Sequence, residues 1–323
     1  MRTVVTGGAG FIGSWLVDKL IEEGHEVIVV DNLSSGKVEN LSRHLNNSRF
    51  KLIKADLKTL TDWSFMKDSE VVFHLAANPE VRVSSINPRI HFEENVLATF
   101  NVLEAARLND IPYFIFTSSS TVYGEAKIMP TPEDYHPLEP ISVYGASKLA
   151  CENFIVTYSK LYGIKGVIYR LANIVGGRST HGVIWDFIHK LKKNPSCLEI
   201  LGDGTQQKSY LHVSDCVEAM LYLFNKVKDP IKDYEVFNVG NEDWVKVIEI
   251  ADIVVEEMGL KNVKYVFKPM TSDGRGWPGD VKLMLLDISK AKKYGWKPKL
   301  SSRDAVRRAA REILEYLSKG QKL

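Results

Sequence analysis

The sequence is poor in cysteine. Its 323 residues hold three, Cys151, Cys197 and Cys216. They are widely spaced and odd in number, which excludes a disulfide framework and points to a reducing, cytoplasmic compartment. CxxC and HExxH spacings are missing, so no metal site is expected. The eight histidines are scattered and read as structural or surface residues. No apolar run approaches the roughly 20 residues that a spanning helix needs. After Met1 and Arg2 the chain enters a short strand without a long apolar leader, so neither membrane span nor signal peptide is expected. Charge excess is missing as well: 42 Lys and Arg against 40 Asp and Glu leave a formal net charge of +2, which gives nucleic acid no electrostatic footing. Repeats and low-complexity stretches are lacking, and the basic tail, 319–323, reads as a frayed end. What remains is 45% hydrophobic and 25% charged, long enough for one large or two modest domains with a real core.

The start of the chain is informative. A β-branched run, 3–6, leads into GGAGFIG, then helical periodicity through Trp15, Leu16, Leu20 and Ile21 up to Gly24, then the apolar run 27–30 ending on Asp31 and Asn32. Strand, glycine turn, helix, strand, acid is the layout of a dinucleotide site. Gly7, Gly10 and Gly13 let the backbone approach a pyrophosphate at the helix N-terminus, where free N–H groups and the dipole favour anions. A carboxylate at Asp31 accepts from a ribose diol and repels a 2′-phosphate, so NAD is expected over NADP. Lys37 nearby is a possible phosphate contact.

Strands alternate with helices further on, over 51–55, 71–75, 113–116 and 165–170, with long helices over 88–107 and 144–162. Ala76 and Ala77 lie at a strand's carboxyl end, the edge where open α/β sheets take ligands. The strand at 113–116 ends in the hydroxyl cluster 117–121. Tyr144 and Lys148 stand four apart, on one helical face. A free tyrosine, with a pKa of about 10, is a poor base; a lysine cation beside it favours the phenolate. From Gly176 the pattern turns irregular, a passage into a smaller lobe. YxxxK alone is common by chance, and so is a serine-rich turn. Together on one α/β scaffold they point to proton and hydride transfer at a sugar hydroxyl.

TGGAGFIG (6–13), DN (31–32), DL (56–57), HLAA (74–77), SSSTVYG (118–124), YGASK (144–148), LGDG (201–204) and PGD (278–280), in this order, resemble the extended short-chain dehydrogenase/reductase family, most closely its UDP-glucose (UDP-galactose) 4-epimerase branch. The resemblance runs over nearly the whole chain. It implies an α/β fold: a Rossmann-type doubly wound parallel sheet over 1–175 plus about 212–242, and a smaller α/β substrate-binding lobe over about 176–211 plus 243–323. It implies Tyr144 as acid/base, Lys148 lowering its pKa and bonding the nicotinamide ribose, and Ser119 as the catalytic hydroxyl. Pyrophosphate would rest on Gly7, Gly10, Phe11, Ile12 and Gly13, the adenine ribose on Asp31 and Asn32, and adenine on Asp56 and Leu57. Leu75, Ala76, Ala77, Asn95 and Leu171 would complete the NAD site with Tyr144 and Lys148. Asn173, Val183, Lys208, Arg275 and Asp280 would hold a UDP-hexose presented to Ser119 and Tyr144. Homodimerisation through the helices 88–107 and 144–162 is implied as well.

Departures from the family pattern narrow the chemistry. Sugar dehydratases carry an Asp-Glu pair where this chain has Ser120 and Thr121. Lys208 replaces the usual Arg and cannot grip phosphate in bidentate fashion. Pro79 stands where some epimerases have a lysine, and Met284 stands at the gate for N-acetylated sugars. The rival expectations are a UDP-glucuronate 4-epimerase or decarboxylase, needing a cation near C6 for which Arg82 and Arg178 are candidates, and a catalytically silent nucleotide-binding protein.

Overall fold

Continuous apolar runs at the start of the chain become a buried parallel sheet. The computed structural model describes residues 1–320; residues 321–323, the end of the expected frayed tail, lie outside the described residues. The order is β1 (Arg2–Thr6), α1 (Phe11–Glu22), β2 (Glu26–Asp31), β3 (Phe50–Lys54), β4 (Val71–His74), α2 (Arg89–His91), a π-helical turn (Phe92–Leu97), α3 (Ala98–Leu108), β5 (Tyr113–Ser119), α4 (Val143–Tyr162) and β6 (Lys165–Leu171). It continues with β7 (Asn173–Val175), α5 (Val183–Lys193), β8 (Cys197–Leu201), β9 (Gln207–Lys208), β10 (Tyr210–His212), α6 (Val213–Val227), β11 (Tyr234–Val239), β12 (Val245–Lys246), α7 (Val247–Glu257), β13 (Lys264–Lys268), β14 (Leu283–Met284), α8 (Ser289–Lys293) and α9 (Ser302–Gly320).

Seven strands form one sheet in the order β11-β6-β5-β4-β1-β2-β3, and the pairings from β3 through β5 are parallel. This is the expected Rossmann-type sheet. Its inner strands β1, β2, β4, β5 and β6 are buried almost throughout, as helices on both sides require, while the edge strand β3 is half-exposed. Val4, Ile28, Val72, Phe114, Phe116 and Ile168 meet Val102, Leu103 and Ala106 of α3 and Cys151 and Ile155 of α4. On the other face Phe73 meets the ring of Phe224 of α6 edge-on at 5.9 Å. α1 buries Leu16, Val17, Leu20 and Ile21. It stops because Gly24 takes φ 88°, letting Gly24 N and His25 N turn back to the carbonyls of Ile21 and Leu20, both at 3.0 Å.

The chain divides into two compact units, Met1–Val122 with Val143–Arg170 and Met220–Phe237, and Tyr123–Ser142 with Leu171–Ala219 and Asn238–Leu323. The expected division put 123–142 with the sheet; the structure groups it with the second unit, where Thr131 N donates to Leu285 O at 2.9 Å. The second unit packs α5, α7 and α9 with β8 and β10 around Phe187, Ile188, Leu198, Ile250, Val254, Val306 and Ala309. Its sheets are small: β7 with β10, β8 with β13, and β9 between β12 and β14. The expected single helix over 88–107 is interrupted by the π-helical turn. No helix among the described residues is long and apolar enough to cross a membrane.

Candidate functional site

The glycine turn after β1 is a cradle that side chains would fill. A Cβ on Gly7, which sits at φ 69°, would fall 2.7 Å from Ala76 N, and one on Gly13 would fall 2.1 Å from Gly7 O. Gly10 caps α1 without a side-chain bond to the first-turn N–H groups, leaving the groups at Phe11 and Ile12 to an anion. Asp31 ends β2 with Oδ2 accepting from Ala9 N at 2.9 Å and Oδ1 from Leu33 N at 2.8 Å. Burial pushes its carboxyl up, against those two bonds. The same carboxylate therefore ties the glycine turn down and keeps further lone pairs for a diol. Asn32 and Asp56 each hold their own turn, through Ser34 N and Lys58 N, and Leu57 is buried. Leu75 and Ala76 hang on Thr6, through its O at 3.2 Å and Oγ1 at 3.4 Å, with Ala77 next in the chain. These residues fit the pyrophosphate, ribose and adenine of a dinucleotide.

Tyr144 lies in the first turn of α4 and Ser119 closes β5, three residues beyond the strand end expected at 116. The Ser119 hydroxyl lies close enough to the Tyr144 phenol to pull its pKa down, and accepts from Thr121 N at 3.2 Å and Thr121 Oγ1 at 2.9 Å. Burial outweighs that pull and pushes the phenol up to about 12. Burial thus outweighs, at the phenol, the lowering that the resemblance implies from Lys148. Lys148 Nζ is 5.9 Å from the Tyr144 ring centroid and donates to Thr117 O at 2.9 Å. Burial pushes Lys148 itself down to about 8, while Cys151 and Glu152 pull the other way.

Several supporting residues escaped the sequence reading. Ser118 Oγ donates to Glu152 Oε1 at 2.5 Å, and Glu152 takes Arg170 at 2.7 and 3.0 Å, all buried. Removing one partner of such a pair costs about 3–5 kcal/mol. The sign of Glu152 was its place one turn after Lys148 on the same helix face. Asn95 lies in the π turn and is spent on protein: Oδ1 accepts from Asn78 N at 2.8 Å and Nδ2 donates to Ser147 Oγ at 2.9 Å. Through these two bonds it ties Asn78, next after Ala77, to Ser147 of α4. The His91 ring meets Tyr144 edge-on, 5.6 Å between centroids, and burial pushes His91 down.

In the second unit the structure brings Lys208, Arg275 and Asp280 together. Lys208 Nζ donates to Asp280 Oδ1 at 2.6 Å and lies 5.9 Å from the Trp277 ring centroid. Arg275 donates to Asp280 O at 2.9 Å, to Asp273 Oδ2 at 2.6 Å and to Glu125. Asn173, in β7, gives its amide to Ser209 O at 3.1 Å, and Leu171 and Met284 are buried. Val183 is the first residue of α5, apart from this polar cluster in the contacts described. Among the described residues no group of three or more His, Cys, Asp or Glu is placed to hold a metal.

A glycine cradle at a parallel sheet's carboxyl edge, with Ser, Tyr and Lys beside it, defines a dinucleotide-dependent enzyme of the dehydrogenase type. Residues 3–240 match the NAD dependent epimerase/dehydratase family, and the chain belongs to that family, with NAD as its cofactor. It is similar to the UDP-glucose 4-epimerase of Mycolicibacterium smegmatis, 34% identical over 314 residues, 95% of this chain and 96% of the relative. A crystal structure of a UDP-galactose 4-epimerase is 48% identical, with a TM-score of 0.86 over 98% of this chain and 100% of that one. The UDP-glucuronic acid 4-epimerase from Bacillus cereus, in complex with UDP-glucuronic acid and NAD, is 30% identical, with a TM-score of 0.88 over 98% and 100%.

Proposed function

We propose that the protein is a 4-epimerase of UDP-hexoses, interconverting UDP-galactose and UDP-glucose through a transient 4-keto sugar. The observation that carries this reading is Lys148 Nζ one turn on from Tyr144, 5.9 Å from its ring centroid, with the Ser119 hydroxyl near the phenol, alongside Ser120 and Thr121 where a sugar dehydratase needs an acid and a base. NAD, when bound, supplies the acceptor and donor for the hydride at C4 and a positive charge. The glycine turn and Asp31 would hold it. Tyr144 takes the proton of the sugar 4-hydroxyl and returns it, and Ser119 shares that proton. In the chain alone Tyr144 is a phenol, so its work as a base depends on the positive charge gathered around it, of which Lys148 is this chain's share. Lys208, Arg275, Asp280 and Asn173 are assigned to the UDP moiety.

The rival on the same machinery, a UDP-uronate, needs a free cation for its C6 carboxylate. Of the two candidate cations, Arg82 is held by Glu80 in bidentate fashion, Nε at 2.9 Å and Nη2 at 3.0 Å, which counts against Arg82 in that role. The free thiols support a cytoplasmic setting. Exposed Phe92 of the π-helical turn, Phe100 and Leu108 of α3, and Leu161 and Tyr162 of α4 support pairing with a second copy. The test of the function is direct. Purified protein given UDP-galactose without added cofactor yields UDP-glucose; conversion of UDP-glucuronate alone overturns the reading in favour of the rival.

A further inference from the structure

Lys148 is buried to 3% exposure, and one carbonyl, Thr117 O, accepts a hydrogen bond from its Nζ. An ammonium so placed has lost most of its water and needs compensation. The ring of Phe116 lies there instead, with Nζ 4.8 Å from its centroid. The face of an aromatic ring is negative and attracts a cation within about 6 Å, more strongly when water is excluded. Phe116 is itself 1% exposed and stacked beside His74, with centroids 5.9 Å apart and planes at 17°. His74 is fixed at both nitrogens, by Thr6 Oγ1 at 2.7 Å and Thr99 Oγ1 at 2.9 Å.

We propose that Phe116 is a positioning residue for Lys148: the face of its ring, braced by His74, holds the lysine ammonium in the site and preserves its charge. The proposal rests on the reading of Tyr144 as acid/base, because the ammonium matters to the reaction through the phenolate it favours. The titratable groups facing Lys148 are Tyr144, Cys151 and Glu152 on α4, His74 on β4, and His91 on α2. Burial, with the charge of Lys148, pushes His74 down to about 3, and burial pushes His91 down as well, so neither brings a competing cation at neutral pH. Burial pushes the Cys151 thiol up, and Arg170 offsets Glu152. The ring face and the Thr117 carbonyl are thus the groups in direct contact with the ammonium, with Glu152 acting on it from further along α4.

Fluorination drains negative charge from a ring face and barely changes its volume. Phe116 is replaced, at that position alone, by 4-fluoro-, 3,5-difluoro- and 3,4,5-trifluorophenylalanine. The Lys148 titration is read from 13C signals of lysine Cε, its resonance assigned by its loss in Lys148→Met. It moves to lower pH stepwise with each fluorine, by about one pH unit for the trifluoro ring. The alkaline limb of the pH–rate profile moves with it, and thermal stability stays level. Phe116→Leu, which removes the face and keeps apolar bulk, shifts the titration at least as far. A Lys148 titration at one pH throughout the fluorine series overturns the proposal, because a ring that only fills space responds that way. A stepwise shift in a protein that turns over no UDP-hexose upholds it and sinks the functional reading instead.

Discussion

Lys148→Met tests the electrostatics of the site through folding alone. Burial holds the Lys148 ammonium at about 8, against an ordinary value of 10.5. The unfolded chain keeps its proton up to the higher value, so between the two values it binds more protons than the fold does. Stability contributed by this group therefore rises with pH through that window. The gap corresponds to about 3 kcal/mol at 1.36 kcal/mol per pH unit. That sum is a ceiling, because the attraction of the Phe116 face offsets part of it. Below pH 8 the wild type bears the whole cost of burying the charge; from 8 to 10.5 the cost fades; above 10.5 it is gone. Methionine has a similar volume and no proton to lose. The lost bond to Thr117 O adds an offset that does not depend on pH. Denaturant unfolding of cofactor-free wild type and variant, from pH 6 to 11, gives the difference directly. Wild type gains on the variant by up to about 3 kcal/mol across the window. Parallel curves, or a wild type that loses ground as pH rises, would refute the reasoning.

Two further outcomes follow from named contacts. Asp31→Asn keeps one carboxyl-type oxygen for Ala9 N or Leu33 N and removes the charge. It narrows the preference for NAD over NADP about tenfold, roughly 1.4 kcal/mol, in binding measurements on stripped protein, and an unchanged ratio removes Asp31 from the ribose role. Phe100→Glu, on the exposed side of α3, turns a dimer into a monomer by light scattering; a wild type already monomeric contradicts the pairing assigned to that face.

The parallel sheet was legible because its inner strands are buried on both faces and read as apolar runs. The glycine turn was legible because only glycine fits at positions 7 and 13. The π turn at Phe92–Leu97 was not, since Phe92, Val96, Leu97 and Phe100 suit an unbroken helix equally well. Its consequence is Asn95, whose carbonyl accepts Thr99 Oγ1 at 2.6 Å and whose amide reaches Ser147; π turns often sit at such functional places. The two-residue strands β9, β12 and β14 carry too few residues for any period to show. Segment 123–142 has no apolar period either, and its grouping depends on long-range contacts such as that of Thr131. The spacing of Tyr144 and Lys148 predicted their shared face but not the burial of Lys148 or the desolvation of the phenol. That desolvation pushes the phenol up, because its cost is set by what packs around the helix.

The account rests on Tyr144 moving the proton while the hydrogen at C4 leaves and returns. UDP-galactose deuterated at C4 and incubated with the purified protein, without added cofactor, tests both at once. The account predicts UDP-glucose with deuterium still at C4, and turnover lower by orders of magnitude with Tyr144→Phe that retains NAD. Washing of the label into solvent, or near-normal turnover by Tyr144→Phe, would contradict it.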